Sequence, residues 1–301
     1  MACRFEVVLP DADASSIGVA RAVLDEADRV EAALSVFRAD SAIAALNRGA
    51  AYGPLPVDGQ LFRLLELCRE LHARTGGLFD ITSTPLSRCW GFLRRNGQVP
   101  GPQAIAEARE CVGMDRVELD AIACSVGFRR AGVELNLGAI GKGYALDRMG
   151  DQLRRQGVAH ALLSAGGSSV LAVGGGAAGW HVDIASRLTT RRRIASLRLR
   201  GASLGSSGAG EQYVDVNGVR YGHVLDPRTG WPAAGVLSAS VVSDRAALAD
   251  ALSTAFLVGG VDIAARYCAA HPRTLALIIP DDTNQHALMF GEHPGATLEG
   301  A

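Results

Sequence analysis

The chain has 301 residues, 48% of them hydrophobic and 20% charged, with 30 basic side chains against 31 acidic ones. That length can bury one large core or two small ones, and the balanced charge gives no electrostatic reason to expect nucleic acid or an anionic lipid surface as a partner. The six cysteines are scattered without a C-x-x-C pair or a histidine at zinc-finger spacing, which excludes a disulfide framework and a structural zinc site as expectations.

In chain order, "CRFEVVL" (3–9) predicts a strand, and 15–34 predicts a helix from the spacing of Ile17, Ala20, Val23, Ala27, Val30 and Leu34. A second helix is expected at 58–74, closed by Gly76-Gly77, and a third at 102–112. Strands follow at 116–120, 122–128 and 133–137, then a glycine-rich turn and a helix at about 142–156. The second half predicts strands at 160–165, 168–173, 180–185, 193–199, 202–206, 219–225 and 237–242. An apolar helix starting at Ala246 and stopped by Gly259-Gly260, another helix at 261–270, and strands at 273–279 and 285–290 complete the pattern. Meandering strands with segregated helices predict an α+β fold, one unit with two lobes of mixed or antiparallel strands and packed helices. No apolar stretch reads as long enough to span a bilayer, and no basic segment followed by an apolar run opens the chain. The expected address is cytoplasmic, or periplasmic had a leader been removed, and the run Arg191-Arg192-Arg193 is expected to be a solvated turn.

Four stretches carry candidate chemistry. "GGGAAG" (174–179) fits G-x-G-x-x-G but leads into the alternating strand "WHVDI" where a dinucleotide site needs a helix, so a loose hairpin turn is expected. "NLGAIGKGYALD" (136–147) is no Walker loop, because Gly143 stands where Ser or Thr belongs. It places Lys142 at a helix mouth, where N–H groups, helix dipole and ammonium converge; an anion site and a solvated lysine on a tight turn are both compatible with it. "YGHVLDPRTGWP" (221–232) sets His223 before a D-P-x-T-G turn, either as a structural side chain or as a proton acceptor or donor. Asp250 lies inside the apolar helix, one turn from Thr254 on the same face. Their two hard oxygens suit Mg²⁺, and an ordinary i,i+4 hydrogen bond at a partly exposed acid is the alternative.

Together with "DSAIAALNRG" (40–49), "TGGLFDIT" (75–82), "PLSRCWGF" (85–92), "LLSAGGS" (162–168), "GSSGAGEQY" (205–213) and "LADALSTAFLVGG" (248–260), these segments in this order resemble the ApbE family, the FAD:protein FMN transferases. The resemblance spans most of the chain and implies a single ApbE-like, T-fold-related domain over 1–301. It implies that FAD binds with its pyrophosphate on Mg²⁺ and that FMN passes to a threonine hydroxyl of a target flavoprotein, releasing AMP. Carried over, Asp250, Thr254 and the carbonyl of Ala139 would hold the metal, whose charge would neutralise the buried acid. Met1, Phe37, Leu78, Phe79, Asp80, Asn136, Lys142 and His223 would line the FAD site, with His223, Asp250 and Lys142 acting in catalysis. On that basis Asp250→Ala is expected to remove transfer and leave the fold intact. The family usually has Asp at Asn136, Ala at Gly141, G-G-D at Gly166-Gly167-Ser168 and a second histidine at Gly222; losing the acid at 136 leaves one negative charge fewer beside the metal. Two other functions share the same site: a Mg²⁺-dependent FAD pyrophosphatase and a flavin-binding module without turnover.

Overall fold

A computed structural model of the chain describes residues 3–10, 16–94, 97–185, 193–210, 212–282 and 286–299. In chain order these form β1 (Phe5–Val8), α1 (Ile17–Leu34), α2 (Ala42–Gly49), β2 (Leu55–Pro56), α3 (Gly59–Arg74), α4 (Thr84–Cys89), α5 (Pro102–Arg109), β3 (Val117–Asp120) and β4 (Ser125–Phe128). There follow α6 (Gly141–Arg155), β5 (Ala161–Ala165), β6 (Ser169–Val173), β7 (Trp180–Ala185), β8 (Arg193–Leu199), β9 (Ser203–Gly208), β10 (Tyr213–Val216) and β11 (Val219–Gly222). The chain closes with β12 (Val236–Ser243), α7 (Ala246–Ala270), β13 (Leu275–Pro280), β14 (Leu288–Gly291) and β15 (Ala296–Glu299). Every strand pair among the described residues is antiparallel, in an α+β arrangement. The basic run at 191–192 lies outside the described residues.

Two compact units result, each from non-contiguous segments. The first comprises Met1–Glu31, Gly138–Gly208 and Ala234–Ala301. Its seven-stranded sheet runs β1-β5-β6-β9-β12-β13-β14 and its three-stranded sheet β15-β8-β7. Strand β6 shows how the layers stack. Its Leu171 and Val173 pack with Leu146, Met149 and Leu153 of α6, whereas Val170 and Ala172 pack with Val182, Ile184, Leu197 and Leu199 of the smaller sheet. Successive side chains on a strand point to opposite faces, so a strand covered on both sides reads as an unbroken apolar run. "SVLAV" is such a run. Helix α7 lies against β9, β12, β13 and α6.

The second unit comprises Ala32–Leu137 and Ala209–Ala233. It holds α2 to α5, the sheet β2-β4-β3 and the ribbon β10-β11. Helix α3 buries Leu61, Leu64, Leu65, Cys68 and Leu71 at helical spacing, and Asp58 caps its start by accepting from the Gln60 and Leu61 amides at 2.8 and 3.1 Å. Trp90 is fully buried and donates its indole N–H to the Gly230 carbonyl at 2.8 Å, tying α4 to the D-P-R-T-G turn. In that turn Asp226 accepts the Arg228 amide at 2.9 Å and its guanidinium at 2.7 Å. Burial raises its pKa, but these bonds to Arg228 outweigh it and hold the carboxyl below its ordinary value.

Four expectations are corrected. The stretch 133–137 is not a strand: Leu135 bonds both its backbone groups to the Asn47 side chain, at 2.7 and 2.9 Å, and the Asn136 amide donates to Ile81 O at 2.7 Å, so no ladder forms. The turn at 174–179 is not a hairpin, because β6 and β7 belong to different sheets and the glycines carry the chain from one to the other. The strand expected at 219–225 stops at Gly222. The glycine stop stands as expected: Gly260 leaves helical geometry (φ 78°), and α7 consists of two helical segments that meet at this kink, the second running to Ala270. At 25 residues α7 is long and apolar enough to cross a membrane, contrary to expectation. Its apolar residues from Ala246 to Val258, apart from the half-buried Leu248, are nevertheless buried among the sheet and α6, as in the core helix of a globular unit.

Candidate active site

The acid in α7 is buried and fully engaged. Asp250 is 2% exposed. Its Oδ2 accepts the Gly143 amide at 3.0 Å, and its Oδ1 accepts the Ser169 hydroxyl at 3.1 Å and faces Lys142 Nζ at 3.4 Å. An isolated carboxylate in such surroundings is strongly unfavourable; an ammonium, a hydroxyl and an N–H at the positive end of α6 compensate it. The chain itself therefore neutralises Asp250, and its burial does not require a cation. Removing it would strand three partners, so Asp250→Ala cannot leave the fold untouched. Lys142 turns towards this carboxylate, which settles the solvated-lysine alternative against it.

Close backbone approach makes the arrangement possible. A Cβ on Gly143 would lie 2.1 Å from the Ala246 carbonyl oxygen, and one on Gly205 would lie 2.5 Å from the Ala249 carbonyl carbon. Only glycine lets α6 and β9 come so near to α7. Thr254 Oγ1 donates to the Asp250 carbonyl at 3.4 Å and lies 3.2 Å from Ser207 Oγ, which lies 2.8 Å from Ser253 Oγ. The i,i+4 bond thus runs to the backbone, not to the Asp250 side chain.

Carboxylate and hydroxyl oxygens are the donors Mg²⁺ prefers. Asp250 Oδ2 accepts a single N–H and Thr254 Oγ1 keeps an acceptor lone pair, so both fit such an ion. No group of three His, Cys, Asp or Glu residues able to hold a metal occurs among the described residues. An ion here would draw its other ligands from backbone carbonyls, water or substrate, as Mg²⁺ commonly does. Ala139, half-buried in the turn before α6, belongs to the same unit.

The other predicted residues lie in the second unit, apart from Met1, which is outside the described residues. Leu78 and Phe79 are core side chains, 5% and 1% exposed, so only their backbone can meet a ligand. Phe79 gives its amide to Thr75 Oγ1 at 3.1 Å, and its carbonyl accepts from His72 Nδ1 at 3.2 Å. Asp80 accepts the Thr82 hydroxyl at 2.6 Å and lies 3.3 Å from His72 Nδ1; burial pushes its pKa up, against these two partners. Phe37 is 77% exposed and edges an open cavity of about 510 Å³ shared with Asn47, Thr84, Arg88 and Glu134. His223 Nδ1 lies 3.1 Å from the Gln212 carbonyl and the ring meets Phe92 edge-on. A carbonyl only accepts, so Nδ1 carries the proton and Nε2 is the basic nitrogen of the neutral ring.

Sequence reasoning missed Ser169, Ser207, Ser253 and His72. The serines are small hydroxyls on strands and a helix whose partners lie tens of residues away, and nothing periodic marks them. The Ser-Ser pairs at 168–169 and 206–207 were the available signal.

Residues 1–279 match the ApbE family. An FAD:protein FMN transferase of Klebsiella pneumoniae (strain 342) is 32% identical over 244 residues, covering 80% of this chain and 75% of that one. Another, from Treponema pallidum (strain Nichols), is 33% identical over 274 residues, covering 85% and 75%. The crystal structure of the ApbE protein of Thermotoga maritima superposes with a TM-score of 0.85 at 28% identity, over 96% of this chain and 93% of that one. The flavin transferase ApbE from Vibrio cholerae shares the fold, with a TM-score of 0.80 at 23% identity over 96% and 94% of the two chains.

Proposed function

The chain belongs to the ApbE family, and from that membership we infer that it is an FAD:protein FMN transferase. Its substrates are FAD and an acceptor flavoprotein. The acceptor oxygen, a threonine hydroxyl, bonds to the FMN phosphorus, the pyrophosphate P–O bond breaks, AMP departs and the hydroxyl loses its proton. Support comes above all from one observation: a buried carboxylate and an ammonium 3.4 Å apart at the N-terminus of α6, with the Thr254 hydroxyl one helical turn on from the carboxylate's residue.

Asp250, Thr254 and the Ala139 carbonyl would hold Mg²⁺, which when bound offsets pyrophosphate charge and favours departure of AMP. Lys142 adds a positive charge and the start of α6 adds its dipole, so a phosphate placed there is bound and oriented. Asp250 keeps the Lys142 ammonium from swinging into solvent. Asn136 and the backbone of Leu78-Phe79-Asp80 would contribute to the flavin nucleotide site, with the exposed Phe37 ring as a surface for a planar group. His223, its Nδ1 proton committed to Gln212, would accept the hydroxyl proton at Nε2, a role that typically contributes about 10²–10⁴-fold.

The test incubates the protein with FAD, Mg²⁺ and a peptide of an acceptor flavoprotein containing the threonine. The peptide is expected to gain an FMN group less water, with one AMP per modification, and chelation is expected to stop both. Free FMN and AMP with unmodified peptide would show a pyrophosphatase, and a stoichiometric yellow complex without AMP would show a binding module.

A further inference from the structure

Helices α6 and α7 begin without caps of their own, since neither Ile140 nor Arg245 supplies a capping side chain. Buried helix starts need acceptors for their first N–H groups. Each helix takes them from the other. Asp147 of α6 accepts the Ala246 amide at 2.9 Å and the Ala247 amide at 3.0 Å, while Asp250 of α7 accepts the Gly143 amide at 3.0 Å. Asp147 lies one turn beyond Gly143, and Asp250 one turn beyond Ala246. The bonds therefore close a ring: along α6 from Gly143 to Asp147, across to Ala246, along α7 to Asp250, and back to Gly143. Both carboxylates are buried, and Arg245 steadies Asp147 at 3.3 Å while also reaching Asp151 at 3.2 Å. The two positive helix ends that meet here are each matched by an acid from the facing helix.

We propose that Asp147 is a positioning residue for the transferase reaction: by gripping the first turn of α7 it fixes the rotation and height of Asp250 against Lys142 and Gly143. This rests on the role given to Asp250 above. A helix turns by about 100° per residue, so a small rotation of α7 would carry the Asp250 carboxylate off Lys142. A cap that only stopped fraying would act on Ala246 and Ala247 alone, because Asp250 lies a full turn deeper.

Amide hydrogen exchange on the full chain, read residue by residue, separates these roles, with amides of β5 and β6 reporting global unfolding. In the unaltered protein, Gly143, Ala246 and Ala247 are expected to share one opening equilibrium; clearly different values overturn the proposal. Asp147→Asn keeps the side-chain size and one acceptor oxygen. It is expected to speed exchange at all three amides about fivefold or more, Gly143 included, with β5 and β6 unchanged. It is also expected to raise the Mg²⁺ concentration that half-saturates FMN transfer. Gly143 keeping its protection while Ala246 and Ala247 lose theirs, or coupled exchange with an unchanged Mg²⁺ requirement, overturns the positioning role. Failure of the transferase assignment itself would appear differently, as absence of transfer in the unaltered protein with the coupled exchange still measurable.

Discussion

Asp250→Ala is expected to abolish FMN transfer and to lower thermal stability at the same time. The substitution leaves the Gly143 amide, the Ser169 hydroxyl and the Lys142 ammonium without their common acceptor. Breaking a fully buried pair from one side costs about 3–5 kcal/mol. Lys142 keeps part of its side chain in water and can turn outward, so a loss of about 2–4 kcal/mol is expected here. Asp250→Asn separates the two effects. Its carbonyl can still accept the Gly143 amide, so the melting temperature should fall less, while the charge is gone. Loss of outer partners of a metal ligand already costs about 10–100-fold, and loss of the ligand's charge should cost at least a hundredfold in transfer. A folded Asn variant that transfers FMN at the unaltered rate would remove Asp250 from the mechanism.

Gly143→Ala should be among the most damaging single-methyl changes in the first unit. The added Cβ would sit 2.1 Å from the Ala246 oxygen, 2.4 Å from its carbonyl carbon and 2.7 Å from the Ala247 nitrogen. All three are backbone atoms, so no rotamer change relieves the overlap; α6 and α7 must part. Overpacking typically costs about 1–3 kcal/mol, and separation also lengthens the bonds from Asp147 to Ala246 and Ala247 and from Gly143 to Asp250, so a loss at or above that range is expected, with transfer falling alongside. The same substitution at Gly18 in α1, where nothing lies within 4 Å, provides the control. There the higher helix propensity of alanine should leave stability unchanged or raised by up to about 1 kcal/mol. Denaturant titration of the two variants measures the contrast, and equal stabilities would contradict the close approach of α6 to α7.

What the sequence makes legible follows from physics that acts over short range. Helices α1, α3 and α6 announce themselves through apolar spacing, and α3 also through Asp58 at its start and glycines at its end. Alternation misleads at Val133, Leu135 and Leu137, which are buried as a strand's inner face would be; a single Asn47 side chain does the work of a neighbouring strand there. Helix α2 is eight residues long and was not predicted, although the Ser41 cap is visible beforehand. Asp250 stands out as an acid in an apolar run and Lys142 as a cation at a helix mouth. Their contact, and the share Ser169 and Asp147 take in it, depends on where the sheet brings distant segments. No local pattern encodes that.

The central claim is that Asp250 and Thr254 together hold the divalent ion on which FAD is processed. Crystals grown with FAD and Mn²⁺ in place of Mg²⁺, measured by anomalous diffraction, test it most directly. The expected result is a manganese peak within about 2.5 Å of an Asp250 carboxylate oxygen and of Thr254 Oγ1, with the FAD pyrophosphate bound to the same ion. A well-ordered FAD whose manganese lies elsewhere, with Asp250 still bound only to Gly143, Ser169 and Lys142, would contradict it.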